Sequence, residues 1–227
     1  MSDPLVSVVL PVLDEARALP AALDALPAGW EVVVVDGGSR DGTPELAARH
    51  PSSPRVLRVP GGRAAQQNAG AAAAQGEVLV FLHADTRLPP GAGASLAAAL
   101  ADPAVLGGNF ALRFDGADSF GRVLGGWYAL QRRGGVYYGD SVLWLRRAAW
   151  EGLGGFRELA IMEDYDLVRR LERRGRTACL PGPAVTSGRR WRALGVRRTV
   201  FSWVVIRWLW ILGVPDTTLA RLYRRAR

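Results

Sequence analysis

The first ninety residues repeat a single grammar that leaves few folds open. A short β-branched apolar run is followed by a loop of Gly, Asp, Ser or Pro, then by an alanine-rich or polar-periodic stretch. The apolar runs fall at residues 5–10, 31–35, 55–59 and 78–82, and three of them are nearly continuous Val and Leu. Strands covered on both faces need that composition, whereas a strand with one wet face alternates. Between the runs, residues 16–26, 43–50 and 64–75 read as helices, with Thr43-Pro44 as an N-cap and first-turn pair. Alternation of this kind predicts an α/β fold, with a mainly parallel sheet, right-handed crossovers and flanking helices. Ligands of such sheets sit beyond the carboxyl ends of the strands, so the polar residues there carry the functional information.

The second half is less regular. Residues 105–114 and 141–145 read as strands, 118–132 as a helix with glycines, and 164–174 as a helix rich in i, i+4 charge pairs. They form the second side, about 91–188, of one mixed α/β unit whose first side is about 1–90, giving a domain over 1–188. A chain of 227 residues with 49% hydrophobic side chains can bury such a core without staples. The single cysteine, Cys179, rules out an intramolecular disulfide framework and a cysteine zinc site, and it suits a reducing compartment. Residues 1–11 lack the basic and apolar regions of a signal peptide, so a cytoplasmic location is expected.

All 29 basic residues are arginine, and their placement matters more than the net charge of +8. Residues 189–227 hold ten arginines against one acid, Asp216, for a net +9, so the preceding 188 residues sum to −1. A basic helical extension of this kind suits an anionic surface, lipid headgroups or phosphate. No zinc-finger, RNP or basic-zipper spacing supports nucleic acid as a partner. Within the extension, residues 199–214 are apolar and carry Trp203, Trp208 and Trp210, but Arg207 interrupts them. The stretch falls short of the ~20 residues a membrane span needs. Three placements stay open: peripheral contact with the inner face of the cell membrane, packing on its own core, or packing on a second copy in a homodimer.

The strand ends hold the candidate site. Pro11-Val12-Leu13-Asp14-Glu15 follows the first strand, and its carboxylates can accept hydrogen bonds from a ribose or base, or cap a helix. Asp36 ends the second strand, where an acid can read a nucleoside edge, and Gly37 and Gly38 let backbone amides approach it. The string lacks both GxGxxG and the GK[ST] of a P-loop. After the third strand, Arg63 opens a helix carrying Asn68 and Gly70, where a guanidinium can pair bidentately with a diphosphate. His83-Ala84-Asp85 follows the fourth strand, and Asp85 with a nucleoside diphosphate can hold Mg2+ or Mn2+. His83 is an assisting or a structural residue there.

Pro11 to Glu15, the D-G-G-S-R-D-G-T string from Asp36 to Thr43, Gly62 to Gly70 and His83 to Asp85 together resemble the nucleotide-binding half of a family 2 glycosyltransferase of the GT-A fold. The resemblance implies that Pro11, Asp14, Glu15, Asp36, Gly38, Arg63 and Asp85 bind a nucleotide-sugar donor, and that Asp85 holds a divalent cation. Met162-Glu163-Asp164-Tyr165-Asp166 is similar to the family's E-D motif, which implies that Asp164 is the catalytic base, with Glu163 orienting the acceptor or supporting the loop. Ser187-Gly188-Arg189-Arg190-Trp191 is similar to the R-W element, which implies that Arg190 and Trp191 lie near acceptor and diphosphate. Two features depart from the family: the first acid of its D-x-D is replaced by His83, and its multi-span membrane segments are absent from the sequence. The expectation is therefore an inverting, metal-assisted, non-processive hexosyltransferase, using a UDP-sugar as the family usually does. The wording H-A-D-T, I-M-E-D and R-R-W resembles a bacterial subgroup assigned to arsenosugar biosynthesis or to glucosylation of a carotenoid acid, which leaves the acceptor open as a small molecule or a lipid-like one. Two rival readings are a sugar nucleotidyltransferase and a non-catalytic nucleotide- or membrane-binding protein. The first needs a basic triphosphate loop where Asp14 and Glu15 stand.

Overall fold

The computed structural model describes residues 5–116 and 119–225. Asp118, expected to open a helix, and Arg227, the last tail arginine, lie outside the described residues. The four Val- and Leu-rich runs form β1 (Val6–Val12), β2 (Glu31–Asp36), β3 (Arg55–Arg58) and β4 (Val78–Phe81). They lie in the order β3-β2-β1-β4, every pair parallel. Successive residues feed opposite cores. Val8, Leu10, Val32, Val34 and Val80 face one side, while Val9, Val33, Val35, Leu79 and Phe81 face the other. Burial on both faces is the reason these strands do not alternate apolar with polar.

Helices α1 (Leu19–Asp24) and α2 (Thr43–Ala48) cover the first face, and α3 (Arg63–Ala73) covers the second. α1 is shorter than the sequence predicts because its expected first turn is spent on the loop after β1. At α2 the cap differs from expectation: Thr43 is the first helical residue and Gly42, at φ +84°, is the cap position. Asp41 Oδ1 accepts the Thr43 N–H at 3.1 Å, the bond a capping side chain makes, which frees Thr43 Oγ1 to accept the Glu15 N–H at 2.9 Å. α3 approaches the sheet closely because Gly70 has no side chain: a Cβ there would stand 2.4 Å from a Val9 methyl.

The rest of the chain extends and mixes the sheet. After β5 (Thr86–Arg87) and α4 (Ala92–Leu100) come β6 (Val105–Phe114), α5 (Ser119–Arg133), β7 (Leu143–Arg146), α6 (Arg147–Gly152), α7 (Glu163–Arg174) and β8 (Arg176–Thr186). The sheet continues β4-β7-β6-β8-β5, with β7 antiparallel to both neighbours, β6 parallel to β8, and β5 antiparallel to β8. The mainly parallel expectation holds for the first four strands, and the whole sheet is mixed. β8 escapes sequence reading because Pro181, Gly182 and Pro183 interrupt it. The register with β6 jumps from Phe110–Leu180 to Leu112–Ala184 across those residues, so the prolines sit in an irregularity where no ladder donor is needed. The chain ends in α8 (Arg189–Leu194), α9 (Val196–Ile211) and α10 (Asp216–Arg225).

The two halves are joined at several points. Arg147 donates to the carbonyls of Ala71, Ala74 and Gly76 at the carboxyl end of α3, and Asn68 exchanges two hydrogen bonds with the Phe156 backbone at 2.8 and 2.9 Å. Leu79, fully buried between β1, β7 and α3, is the side chain on which the second core closes. Leu79→Ala is expected to lower the unfolding free energy by about 2–5 kcal/mol, measured by urea denaturation. A loss below ~1 kcal/mol would show that this core relaxes around the gap.

Candidate active site

The loops after β1 and β2 are knitted into one surface. Asp14 N–H donates to Ser39 Oγ at 2.9 Å, Asp14 Oδ1 accepts the Arg40 N–H at 2.8 Å, and Ala16 N–H reaches Asp41 Oδ2 at 3.0 Å. Asp14 adopts the left-handed region at φ +54°, which Asp tolerates better than most residues. Asp36 is fully buried and accepts the N–H groups of Gly38 at 3.0 Å and Ser39 at 3.0 and 3.2 Å. Its carboxylate therefore shapes the Gly37-Gly38-Ser39 backbone. Pro11 stands within β1 opposite Val35, one residue before the Val12 carbonyl that accepts Gly37 N–H and Gln66 Nε2.

Arg63, at the start of α3, lies among four carboxylates. Its Nε is 3.4 Å from Glu163 Oε1, and the charge of Glu163 foremost, with Asp164, Asp85 and Asp140 behind it, holds the guanidinium above its ordinary pKa. Glu163 and Asp164 open α7 after Met162, a non-glycine residue at φ +68°. Strain of that kind persists only where packing enforces it, and Met162 is buried against Tyr165, Ile206 and Leu219. Burial pushes the Glu163 carboxyl up, and Arg63 pulls it back. Asp164 Oδ2 accepts the Gly139 N–H at 2.8 Å, and Oδ1 accepts the Tyr165 N–H at 2.7 Å. Asp166 belongs to the scaffold instead, paired with Arg157 at 3.1 Å and Arg170 at 2.8 Å.

The short turn Gly139–Ser141 before β7 supplies residues that sequence reasoning missed. Tyr128 donates its hydroxyl to Asp140 Oδ2 at 3.1 Å, while Oδ1 is buried with no hydrogen-bond partner. Burial first, and then the charge of Asp164, push the Asp140 carboxyl up to about 7. His83 packs across the turn: burial, helped by Arg63, pushes its imidazole down to about 3, which keeps it neutral, and its Nε2 has no partner. The packing is close, since a Cβ at Gly139 would stand 3.0 Å from His83 Nε2 and 3.2 Å from Asp164 Oδ2 and would push one of them back by a few tenths of an ångström. The one signal in the sequence is a Gly-Asp pair behind two tyrosines. It escapes because the strand it precedes is antiparallel, so its amino end, not its carboxyl end, lies beside β4.

The R-W element divides. Trp191 is buried edge-on against Phe114 and Phe120, with ring centroids at 4.8 and 5.3 Å. Arg190 lies over the Tyr223 ring at 4.6 Å, on the side of α10. Arg189 is the residue that reaches the strand-end loops: it pairs bidentately with Glu15 at 2.5 and 3.0 Å and stands 3.3 Å from Asp85. Burial raises the Asp85 carboxyl and Arg189 opposes the rise. Among the described residues no three His, Cys, Asp or Glu side chains gather as a metal-ligand group. Asp85 offers one carboxylate, which is what Mg2+ or Mn2+ uses beside substrate phosphates, so these residues fit a cation arriving with a diphosphate and not one caged by protein alone.

Residues 7–150 match the family model for glycosyl transferase family 2, and the chain belongs to that family. It is 41% identical over 91 residues to an uncharacterized glycosyltransferase of Mycobacterium tuberculosis, a stretch covering 40% of this chain and 41% of that one. It is 39% identical over 99 residues to the undecaprenyl-phosphate 4-deoxy-4-formamido-L-arabinose transferase of Aeromonas hydrophila, covering 38% of this chain and 30% of that one. The chain thus spans less than half the length of these curated relatives. Among solved structures, the mannosyltransferase PcManGT of Pyrobaculum calidifontis in complex with GDP-Man and Mn2+ superposes with a TM-score of 0.62 at 27% identity, over 82% of this chain and 57% of that one. The TarS protein of S. aureus in complex with UDP gives 0.66 at 16% identity, over 81% and 60%, a likeness of fold alone. The mixed sheet with flanking helices is the GT-A-type fold.

Asp140 tests the electrostatics directly. Its folded pKa lies above its unfolded value, so the folded state holds the proton more tightly. The parent is unpenalised below about pH 4 and loses stability as pH rises towards about 7. Asp140→Asn is expected to gain on the parent across that window by about 1 kcal/mol or more, read from urea midpoints at a series of pH values. A difference that does not change with pH would show that Asp140 ionises normally.

Proposed function

We propose that the chain is an inverting glycosyltransferase that moves one sugar from a nucleoside-diphosphate sugar, a UDP-sugar, to an acceptor hydroxyl or carboxyl without processive extension. The observation that carries this reading is the Asp164 carboxylate, held by the Gly139 amide at 2.8 Å on the side of Arg63 where the strand-end loops converge. The nucleoside lies on the backbone shaped by Asp36, Gly38 and Asp14, beside Pro11 and Glu15. The diphosphate lies across Arg63, at the amino end of an eleven-residue helix, where charge and amide dipoles both favour an anion.

Asp164 takes the proton of an acceptor hydroxyl as its oxygen attacks the anomeric carbon and the bond to the diphosphate breaks. A positioned base of this kind contributes about 10²- to 10⁴-fold. A single displacement from the face opposite the leaving group inverts the anomeric centre and needs no covalent nucleophile. Glu163 holds Arg63 towards the diphosphate, and Arg63 and Arg189 offset the charge that develops on it. Asp85 would hold Mg2+ or Mn2+, which when bound supplies further positive charge to the departing diphosphate. Trp191 braces the turn from which Arg189 extends, and Arg190 ties that turn to α10. The acceptors of the resembled subgroup differ in chemistry: a hydroxyl needs Asp164, whereas a carboxyl arrives ionised and does not. The nucleotidyltransferase alternative is disfavoured because Glu15, where a triphosphate loop would need positive charge, is paired with Arg189.

Calorimetric titration of UDP and GDP, with and without Mn2+, tests the donor site. Metal-dependent UDP binding is expected, weakened about tenfold or more by Asp85→Ala. GDP is the comparison arm because the Pyrobaculum calidifontis neighbour carries GDP-Man. Failure of every nucleoside diphosphate to bind would overturn the reading. Asp164→Asn is expected to leave UDP affinity within about twofold while transfer to a hydroxyl acceptor falls by about 10²- to 10⁴-fold, measured by UDP release. Undiminished transfer to a hydroxyl would remove Asp164 from the base role.

A further inference from the structure

Two helices leave a row of large apolar side chains uncovered. On α5 these are Val123, Trp127 and Leu130, 70%, 54% and 55% exposed, at i, i+4 and i+7. On α9 they are Phe201, Val204, Trp208 and Ile211, 72%, 48%, 61% and 53% exposed, at i, i+3, i+7 and i+10, and Leu212 continues the row. Both spacings follow one face of a helix. The opposite faces pack inward. Leu124, Phe120 and Tyr128 of α5 share a cluster with Trp191 and with Trp203 of α9, and Arg207 of α9 donates to Gln131 of α5. These contacts advance in the same chain order along both helices, from Trp203 in the cluster of Phe120 and Leu124 to Arg207 with Gln131. The helices therefore run side by side in one direction, and their outward rows turn to a common side.

We infer that this two-helix face docks the protein on a membrane surface bearing anionic lipids. Apolar patches of this extent on a folded chain mark contact surfaces. The charge around the rows selects the occupant. Neither helix carries an acidic residue, while the exposed Arg133 of α5 and Arg197 of α9 continue the two rows, three residues after Leu130 and four before Phe201. A second copy seated symmetrically on the same face would set arginine against arginine with no acid on either helix to pair them. An anionic headgroup layer supplies countercharge to Arg133 and Arg197, and Trp127 and Trp208 suit its boundary with the acyl region. No helix among the described residues is long and apolar enough to cross a membrane, so the face lies in the interface plane. The inner side of the same α5 carries Tyr128, which binds Asp140 beside Asp164. The surface thus adjoins the acceptor side of the proposed site and would deliver an acceptor that partitions into lipid. The docking itself does not depend on that function.

Flotation of the full chain with vesicles of phosphatidylcholine alone, and of phosphatidylcholine mixed with phosphatidylglycerol, tests the proposal. The chain is expected to float with the mixed vesicles, less with the neutral ones, and to be released in part by salt. Combined Trp127→Ser, Phe201→Ser and Trp208→Ser should cut the bound fraction about tenfold or more with an unchanged circular dichroism spectrum. Arg197→Glu alone should weaken binding to the mixed vesicles about fivefold or more and leave the neutral ones unaffected. A chain that does not float, or a triple variant that floats as well as the parent, would overturn the proposal. So would a dimer, seen by ultracentrifugation, that the same three substitutions dissolve while neither protein binds vesicles.

Discussion

The antiparallel junction of β4 with β7 is the contact on which the candidate site depends. Phe81 at the carboxyl end of β4 pairs with Leu143 at the amino end of β7, so the turn before one strand lies beside the loop after the other. That register brings Gly139 against His83 and lets its amide hold the Asp164 carboxylate. A parallel strand at this place would carry its own loop to the opposite edge of the sheet. The Arg147 and Asn68 bonds to the neighbouring backbone then keep the two halves in one register.

Charge balance in this junction follows from burial. Asp85, Asp140 and Glu163 are each raised chiefly by loss of water, and Asp164 adds to the rise at the latter two. Arg63 stands among them and Arg189 reaches Asp85 from the tail side. Such a cluster resists full ionisation until a countercharge arrives, a property that suits the proposed diphosphate and cation site. The positive φ values at Asp14 and Met162 lie in the loops that flank it, held at Asp14 by its hydrogen bonds to Ser39 and Arg40 and at Met162 by the surrounding packing.

The tail shows how one segment serves two surfaces. Trp191 and Trp203 close an aromatic cluster over β6, and Arg189 enters the strand-end loops, so the first turns after β8 wall the candidate site. One side of α9 completes the packing around Tyr165 and Met162, while its other side remains uncovered. The tryptophan-rich stretch is therefore neither wholly core nor wholly surface, because a helix with large apolar residues all round has more apolar face than its neighbouring helices cover.

The chain's local pattern by itself determined the four parallel strands, their covering helices and the polar strand ends at Asp14, Asp36, Arg63 and Asp85, because residues close in sequence decide whether a strand is buried on both faces and where it stops. The acidic opening of α7 was equally readable. Tertiary structure alone decided the rest. β8 hides behind Pro181 and Pro183 because its irregularity exists only against β6. Asp140 and Gly139 enter the site only because β7 runs antiparallel, a choice made by strands more than sixty residues apart. That Arg189, and not Arg190, faces Asp85 depends on how α8 leaves the sheet, since neighbouring residues on a helix point about 100° apart and a motif's spelling does not say which one turns inward.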